Sequence, residues 1–312
     1  MTVREAKMKE YEAVVIGGGP AGLTAGLYLS RYGLNTLLVE RGLPGGQIVN
    51  AGRVENYPGF PNGITGMELG QLMHEQSSKF GLNFATAEVS GLRQEEKMFR
   101  TVTDDGDFLS GVVVIASGSN YRKLGLADEE RLNGRGVSYC ATCDGFLFRN
   151  MDVAVVGGGD TAVSDALELS QHARHVYVIH RRDQLRASHA VQRAAMASAK
   201  IEFIWNSVVV QLEGREKLGD LVLKNVKTGD ISKLQVSGVF VAIGLIPNSD
   251  PFRGLIELDE AGNVPTDELM RTSIAGLYAV GDIRRNSARQ VAAAVGDGAV
   301  AAKSAFAYLK EG

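Results

Sequence analysis

The chain has 312 residues, enough for two domains of common size, with 45% hydrophobic residues and a net charge of −3. That composition suits a globular protein, and with no basic block nucleic acid is not an expected partner. No uninterrupted apolar run approaches the ~18 residues a membrane-spanning helix needs, and Met1 to Glu10 is charged, unlike a signal peptide.

Tyr11 to Ile16 reads as a short buried strand. Gly17-Gly18-Gly19-Pro20-Ala21-Gly22 follows, then a helical run from Leu23 to Tyr32, a turn at Gly33 to Asn35, and a second strand from Thr36 to Val39. This is a βαβ unit with G-x-G-x-x-G at Gly17, Gly19 and Gly22. The glycines permit a tight turn and close backbone approach, and the helix N-terminus faces a pyrophosphate. Glu40 stands 23 residues after Gly17, at the end of the second strand, where a carboxylate accepts hydrogen bonds from ribose hydroxyls.

Gly45-Gly46-Gln47-Ile48 and the stretch from Val54 to Pro61, which includes Asn56, read as loops. Whether they serve a ligand or merely connect elements is open on composition alone. Met67 to Phe80 reads as an amphipathic helix whose His74 is a surface residue. Phe84 to Phe108 reads as antiparallel strands with a hairpin turn at Asp104-Asp105-Gly106, and Val112 to Ile115 as a buried strand.

The only two cysteines of the chain, Cys140 and Cys143, lie in Ser138-Tyr139-Cys140-Ala141-Thr142-Cys143-Asp144-Gly145. Two cysteines cannot close a tetrahedral structural zinc site, and no histidine lies nearby at ligand spacing. Incidental thiols rarely fall at Cys-x-x-Cys spacing with none elsewhere. The spacing points to a pair cycling between dithiol and disulfide, and a close thiol pair without an export signal fits a reducing cytoplasm.

The first pattern then restarts. Val153 to Val156 is a strand, Gly157-Gly158-Gly159-Asp160-Thr161-Ala162 a second glycine turn, and Ala162 to about Gln171 a helix. Val176 to Ile179 is the next strand. Counting 23 residues from Gly157 reaches His180, followed by Arg181, Arg182 and, further on, Arg186. Guanidinium forks at that place suit a ribose 2′-phosphate, where Glu40 suits free ribose hydroxyls. The competing reading is a solvated basic patch at a strand end. Ile201 to Trp205, Val208 to Leu212, Leu221 to Asn225 and Val239 to Gly244 read as strands, the last broken by Leu245 to Asn248. Leu277 to Val280 is an apolar strand ending at Gly281-Asp282, and Arg289-Gln290-Val291 opens an Ala/Gly-rich helix to Leu309. Asp282 taken alone would more often be a helix cap. The expected fold is α/β, with two Rossmann-like dinucleotide-binding domains, the second inserted into the first: 1–120 with 248–312, and 121–247.

With these motifs the chain resembles the bacterial-type, low-molecular-weight thioredoxin reductases nearly end to end. The resemblance runs through G-G-G-P-A-G at Gly17, G-G-Q at Gly45, V-E-N-Y-P-G-F at Val54 and G-R-G-V-S-x-C-A-T-C-D-G at Gly134. It continues at Gly157, in H-R-R-D-x-x-R-A at His180, in G-x-x-P-N at Gly244 and in Y-A-V-G-D at Tyr278.

The resemblance implies an NADPH-dependent flavoenzyme that reduces thioredoxin. FAD would be held by Gly17, Gly19, Pro20, Ala21, Gly22, Glu40, Gly46, Gln47, Asn56, Gly281, Asp282, Arg289, Gln290 and Val291. NADPH would be held by Gly157, Gly159, Asp160, Thr161, His180, Arg181, Arg182, Arg186 and Ile243. It further implies that Cys143 is the sulfur nearest the flavin, that Cys140 attacks the disulfide of the protein substrate and that Asp144 supplies a proton. Members of the family are commonly homodimers that rotate one domain on the other, so the crossings at Ser117 to Arg122 and Gly244 to Asn248 would be hinges. Tyr139 and Leu147 depart from the common pattern, which bears on partner preference. A dithiol oxidase on the same fold would need no arginine cluster at His180. A peroxide-system flavoprotein would normally need an N-terminal thiol domain for which Met1 to Glu10 leaves no room.

Overall fold

The computed structural model describes residues 8–51 and 53–311. Most of the expectation about Met1 to Glu10 therefore lies outside the described residues. The chain opens with strand β1 (Lys9–Ile16), helix α1 (Pro20–Arg31) and strand β2 (Thr36–Glu40). Ala13 to Ile16 are all buried, as four consecutive apolar residues in the centre of a parallel sheet must be. Helix α2 (Gly66–Ser78) begins at Thr65, whose hydroxyl accepts from the Glu68 N–H, and it precedes β3 (Asn83–Thr86). Strands β4 (Val89–Glu95), β5 (Met98–Thr103) and β6 (Phe108–Ile115) follow, and β7 (Ser119–Tyr121) leads out of this part of the chain.

The middle of the chain holds α3 (Glu129–Leu132), β8 (Val137–Ser138), α4 (Ala141–Asp144), β9 (Asp152–Val156), α5 (Asp160–Ser170) and β10 (His175–Ile179). It continues with α6 (His189–Ala197), β11 (Ile201–Ile204), β12 (Ser207–Glu213), β13 (Asp220–Asn225), β14 (Ile231–Gln235) and β15 (Gly238–Val241). Strand β16 (Leu245–Pro247) leads back, and β17 (Leu277–Ala279) and the long helix α7 (Val291–Glu311) complete the chain. Among the described residues no helix is long and apolar enough to cross a membrane.

The chain divides into two compact units, an outer one of residues 1–120 with 246–312 and an inner one of 121–245. The outer unit carries a seven-stranded sheet in the order β3-β2-β1-β6-β5-β4, with β17 also paired to β6. The inner unit carries a five-stranded sheet, β11-β10-β9-β15-β8, whose pairs are all parallel, and a separate antiparallel sheet, β12-β13-β14. Each apolar cluster lies inside one unit. One joins Val15, Leu29 and Val114 to Ala301, and another joins Val155, Ala166 and Val178 to Phe240. Where the chain leaves and returns, β7 and β16 pair. The Arg122 N–H donates to the Gly244 carbonyl at 3.0 Å, and the Asn248 N–H to the Gly118 carbonyl at 3.0 Å.

One expected pairing is different. Phe84 to Thr86 does not join an antiparallel set: β3 runs parallel to β2, with Leu38 opposite Phe84, and the antiparallel pairs begin at β4. The physical reason is α2, which is long enough to cross the sheet and return the chain in the parallel sense.

Candidate active site

The functional side chains cluster at the carboxyl ends of the parallel strands, where open α/β sheets place their ligand crevices. In the inner unit, β8 pairs with β15 through Ser138 opposite Phe240, and the chain turns directly from β8 into Cys140 and α4. Cys140 and Cys143 form a disulfide with Cα atoms 5.2 Å apart. The Cys143 N–H points at Cys140 Sγ from 3.2 Å, and the Asp144 N–H donates to the Cys140 carbonyl at 3.1 Å, so the ring is held by its own backbone.

Asp144 follows the second sulfur. Burial pushes its carboxyl above the ordinary carboxylate range, and a hydrogen bond from the Ser138 hydroxyl to Oδ2 at 2.6 Å offsets part of that rise. Ser138 Oγ also accepts from the Cys140 N–H at 3.1 Å. One buried hydroxyl thus ties the first cysteine's backbone to the carboxyl beside the second, a role that sequence reasoning did not assign. Its signal would have been a small hydroxyl residue two positions before the first cysteine.

Tyr139, the departure noted before Cys140, has an account. Its hydroxyl donates to Glu129 Oε1 at 2.8 Å, and its ring stacks on Tyr121 with centroids 5.2 Å apart. Glu129 is buried and also accepts from the Leu124 and Gly125 N–H groups at 2.8 Å each. A buried carboxylate needs such donors to offset its desolvation. Burial, with Glu129 second, raises the Tyr139 phenol well above its ordinary range, so it stays protonated.

The second glycine turn leaves β9 at the same end of the inner sheet. A Cβ at Gly158 would overlap the His180 ring, so the ring packs directly against this turn. His180 is 5% exposed and its Nε2 lies 3.1 Å from the Gln184 carbonyl. Burial, with Arg186, Arg181 and Arg182 behind it, lowers the His180 pKa, so the ring is neutral at pH 7 and bridges the two ends of the loop. The Arg186 N–H donates to the Gly158 carbonyl at 2.7 Å, seating that loop on the turn. Arg181, Arg182 and Arg186 are exposed, and none has an acidic partner among the described residues. The one carboxylate of the loop, Asp183, is instead engaged by Lys227 at 2.6 Å. At the start of α5, Asp160 accepts from the Ser188 N–H at 2.8 Å, which holds its carboxyl below the usual range. Thr161 is exposed, and Ile243 is half-buried after β15.

In the outer unit, Gly17 has φ +106°, and a Cβ there would strike the carbonyl of Ala116 at the end of β6. A Cβ at Gly22 would strike the Gly17 carbonyl. Only glycine fits either place. Helix α1 starts at Gly19 and Pro20 with no side-chain cap and no acid in its first turn, leaving N–H groups for an anion. Glu40 accepts from the Gly18 N–H at 2.6 Å and the Gly42 N–H at 2.9 Å, so each oxygen is fixed and keeps a lone pair. Gly46 packs against Gly19, and the Gly45 N–H donates to the Gly18 carbonyl at 2.7 Å.

Two further predicted residues meet: Asn56 Nδ2 donates to Gln290 Oε1 at 3.0 Å. Gly281 lies over Ala21, and burial raises the Asp282 pKa, offset in part by the Ser287 hydroxyl at 3.0 Å. Arg289, with φ +55°, and Val291 continue this wall. Behind it, a pairing missed by sequence reasoning holds the loop. Asp297 is buried, accepts from the Gly281 N–H at 3.0 Å and from Arg284 Nε at 2.8 Å and Nη2 at 3.0 Å. The uncapped helix, the glycine cradle and the fixed carboxylate together fit a dinucleotide.

Residues 11–298 match the family of pyridine nucleotide-disulphide oxidoreductases. The chain is 42% identical to the thioredoxin reductase of Bacillus subtilis (strain 168) over 304 residues, 97% of this chain and 96% of that protein. It is 44% identical to the thioredoxin reductase of Listeria innocua over 305 residues, 97% of this chain and 95% of that one. The chain belongs to the thioredoxin reductase family. Among solved structures of that family, the thioredoxin reductase from Streptococcus pyogenes superposes with a TM-score of 0.92 at 42% identity, covering 97% of this chain and 99% of that one. As a thioredoxin reductase family member the chain is an oxidoreductase of the flavin-binding kind, and Cys140–Cys143 is its redox disulfide.

Proposed function

We propose that the chain carries electrons from NADPH through FAD to the Cys140–Cys143 disulfide, and from there to thioredoxin or a thioredoxin-like protein. The observation that carries this reading is the disulfide itself, set at the carboxyl end of β8 with a buried carboxyl of raised pKa beside it. FAD, when bound, accepts a hydride equivalent and passes electrons to the disulfide. The Gly17 turn and α1 would take its pyrophosphate, Glu40 its ribose, and Gly46, Gln47, Asn56, Gly281, Asp282, Arg289, Gln290 and Val291 the rest. The Gly157 turn would take the pyrophosphate of NADPH. Arg181, Arg182 and Arg186 would take its 2′-phosphate, and His180 holds their loop. That these arginines have no acidic partner among the described residues supports NADPH over NADH.

Once reduced, Cys140 attacks the partner's disulfide as thiolate, forming a mixed disulfide and releasing one partner thiolate. Cys143 then attacks Cys140 Sγ, which releases the second partner thiolate and re-forms the Cys140–Cys143 bond. Asp144, protonated more readily than an ordinary carboxyl, gives a proton to a departing sulfur, and Ser138 holds it in place. The family's habit supports a homodimer, and the close thiol pair suits a reducing cytoplasm. Cys143→Ser should abolish thioredoxin reduction while NADPH still bleaches the flavin. Equal loss of both steps would overturn the proposed order of electron flow.

A further inference from the structure

A string of side-chain amides connects Gln47 to both places where the chain leaves and re-enters the outer unit. Gln47 Nε2 lies 2.8 Å from Asn120 Oδ1, Asn120 Nδ2 lies 2.9 Å from Asn248 Oδ1, and Asn248 Nδ2 lies 2.8 Å from the Ser117 carbonyl. The far end is clamped twice more, by Ser117 Oγ on the Asn248 carbonyl at 2.9 Å and by the Asn248 N–H on the Gly118 carbonyl at 3.0 Å.

The two ends of an amide have nearly the same shape, so the bonding around it decides which way it faces. Here the string stops on a main-chain carbonyl, which can only accept. Asn248 must therefore give its NH2 to Ser117 and turn its oxygen to Asn120. Asn120 must donate to that oxygen and offer its own to Gln47. Gln47 must donate inward, and its longer 3.4 Å contact with the Ser119 carbonyl demands the same polarity. Reversing any member sets oxygen against oxygen somewhere along the string. What remains at the outer end is Gln47 Oε1, an acceptor with no partner among the described residues.

We infer that Asn120 and Asn248 are positioning residues for the flavin cofactor: through them Gln47 is locked in one amide polarity, presenting its carbonyl oxygen to an N–H or O–H of the cofactor. This rests on the proposal that FAD occupies the outer unit. Asn248 acts from the far end of the string, without a contact to Gln47, and transmits its effect through Asn120.

The test is a double-mutant cycle on FAD affinity, read from quenching of FAD fluorescence as it is titrated into the apoprotein. Asn248→Leu takes away both the donor to the Ser117 carbonyl and the acceptor for Asn120, so the string is free to turn over, and FAD should weaken about fivefold to tenfold. In a Gln47→Ala background there is no amide left to orient, and Asn248→Leu should change affinity by less than about twofold. If the two effects instead multiply, the amides act separately and the inference fails. Asn120→Leu, which cuts the string in the middle, reads the same coupling should Asn248→Leu not fold. Wild-type apoprotein that binds no FAD would overturn the cofactor reading as well. Wild-type binding with a multiplicative cycle would overturn the inference alone.

Discussion

Asp144 lies buried beside the disulfide with a side-chain donor, Ser138 Oγ, at 2.6 Å. Burial raises its pKa, so the folded protein holds this proton more tightly than the unfolded chain does. Folded stability therefore falls as pH rises from the ordinary carboxylate value through the raised one. Asp144→Asn keeps an oxygen for Ser138 and removes the ionisation. Its thermal midpoint should exceed that of wild type at neutral pH, and the gain should vanish as pH falls through the raised pKa. The same variant should lose roughly 100-fold in thioredoxin-coupled turnover, the scale of a lost general acid, with flavin bleaching by NADPH unchanged. A variant with full turnover would remove Asp144 from the proton path.

The glycine turns, their strands and helices, and the residues 23 positions on could all be read in the sequence, because local geometry forces them. Only glycine can occupy Gly17 and Gly22, and an acid or a basic loop at the end of the second strand is a short-range pattern. The parallel pairing of Asn83–Thr86 was not legible, since strand direction depends on a crossover and not on alternation. Nor were Glu129, Asp297 and the Asn120–Asn248 bond, whose partners lie at separations that no local pattern encodes, whereas Ser138 had a local signal in its place before Cys140. His180 shows both sides. Its place was readable, but its burial against Gly158 and its bond to Gln184 make it a support for the arginine loop. Replacing Arg181 and Arg182 together with alanine should weaken NADPH by about 100-fold or more, at roughly 1.5 to 3 kcal/mol for each charge-assisted bond, while NADH changes little. The ratio of the KM values for the two nucleotides measures this, and an unchanged ratio would show that these arginines do not read the phosphate.

At the scale of the whole molecule, one unit is inserted in the other, and each has its own sheet and its own apolar clusters. The two crossings run side by side as β7 and β16, so the ends of the insert are neighbours. A chain of residues 121–245 should therefore fold alone and unfold in one cooperative transition by circular dichroism in urea. Residues 1–120 joined to 246–312 by a short glycine linker should fold likewise and retain FAD. Non-cooperative melting of the 121–245 chain would mean that its core depends on the outer unit.

The proposed route for electrons is a single one, from NADPH to the flavin to Cys140–Cys143. Anaerobic mixing of the FAD-loaded protein with NADPH, followed by thiol counting on the denatured protein, tests it most directly. The account predicts rapid loss of the flavin's visible absorbance, slower loss with NADH, and then about two new thiols per chain, which thioredoxin disulfide re-oxidises. Bleaching with no new thiols would break the route at the disulfide. No bleaching with either nucleotide would contradict the account at its first step.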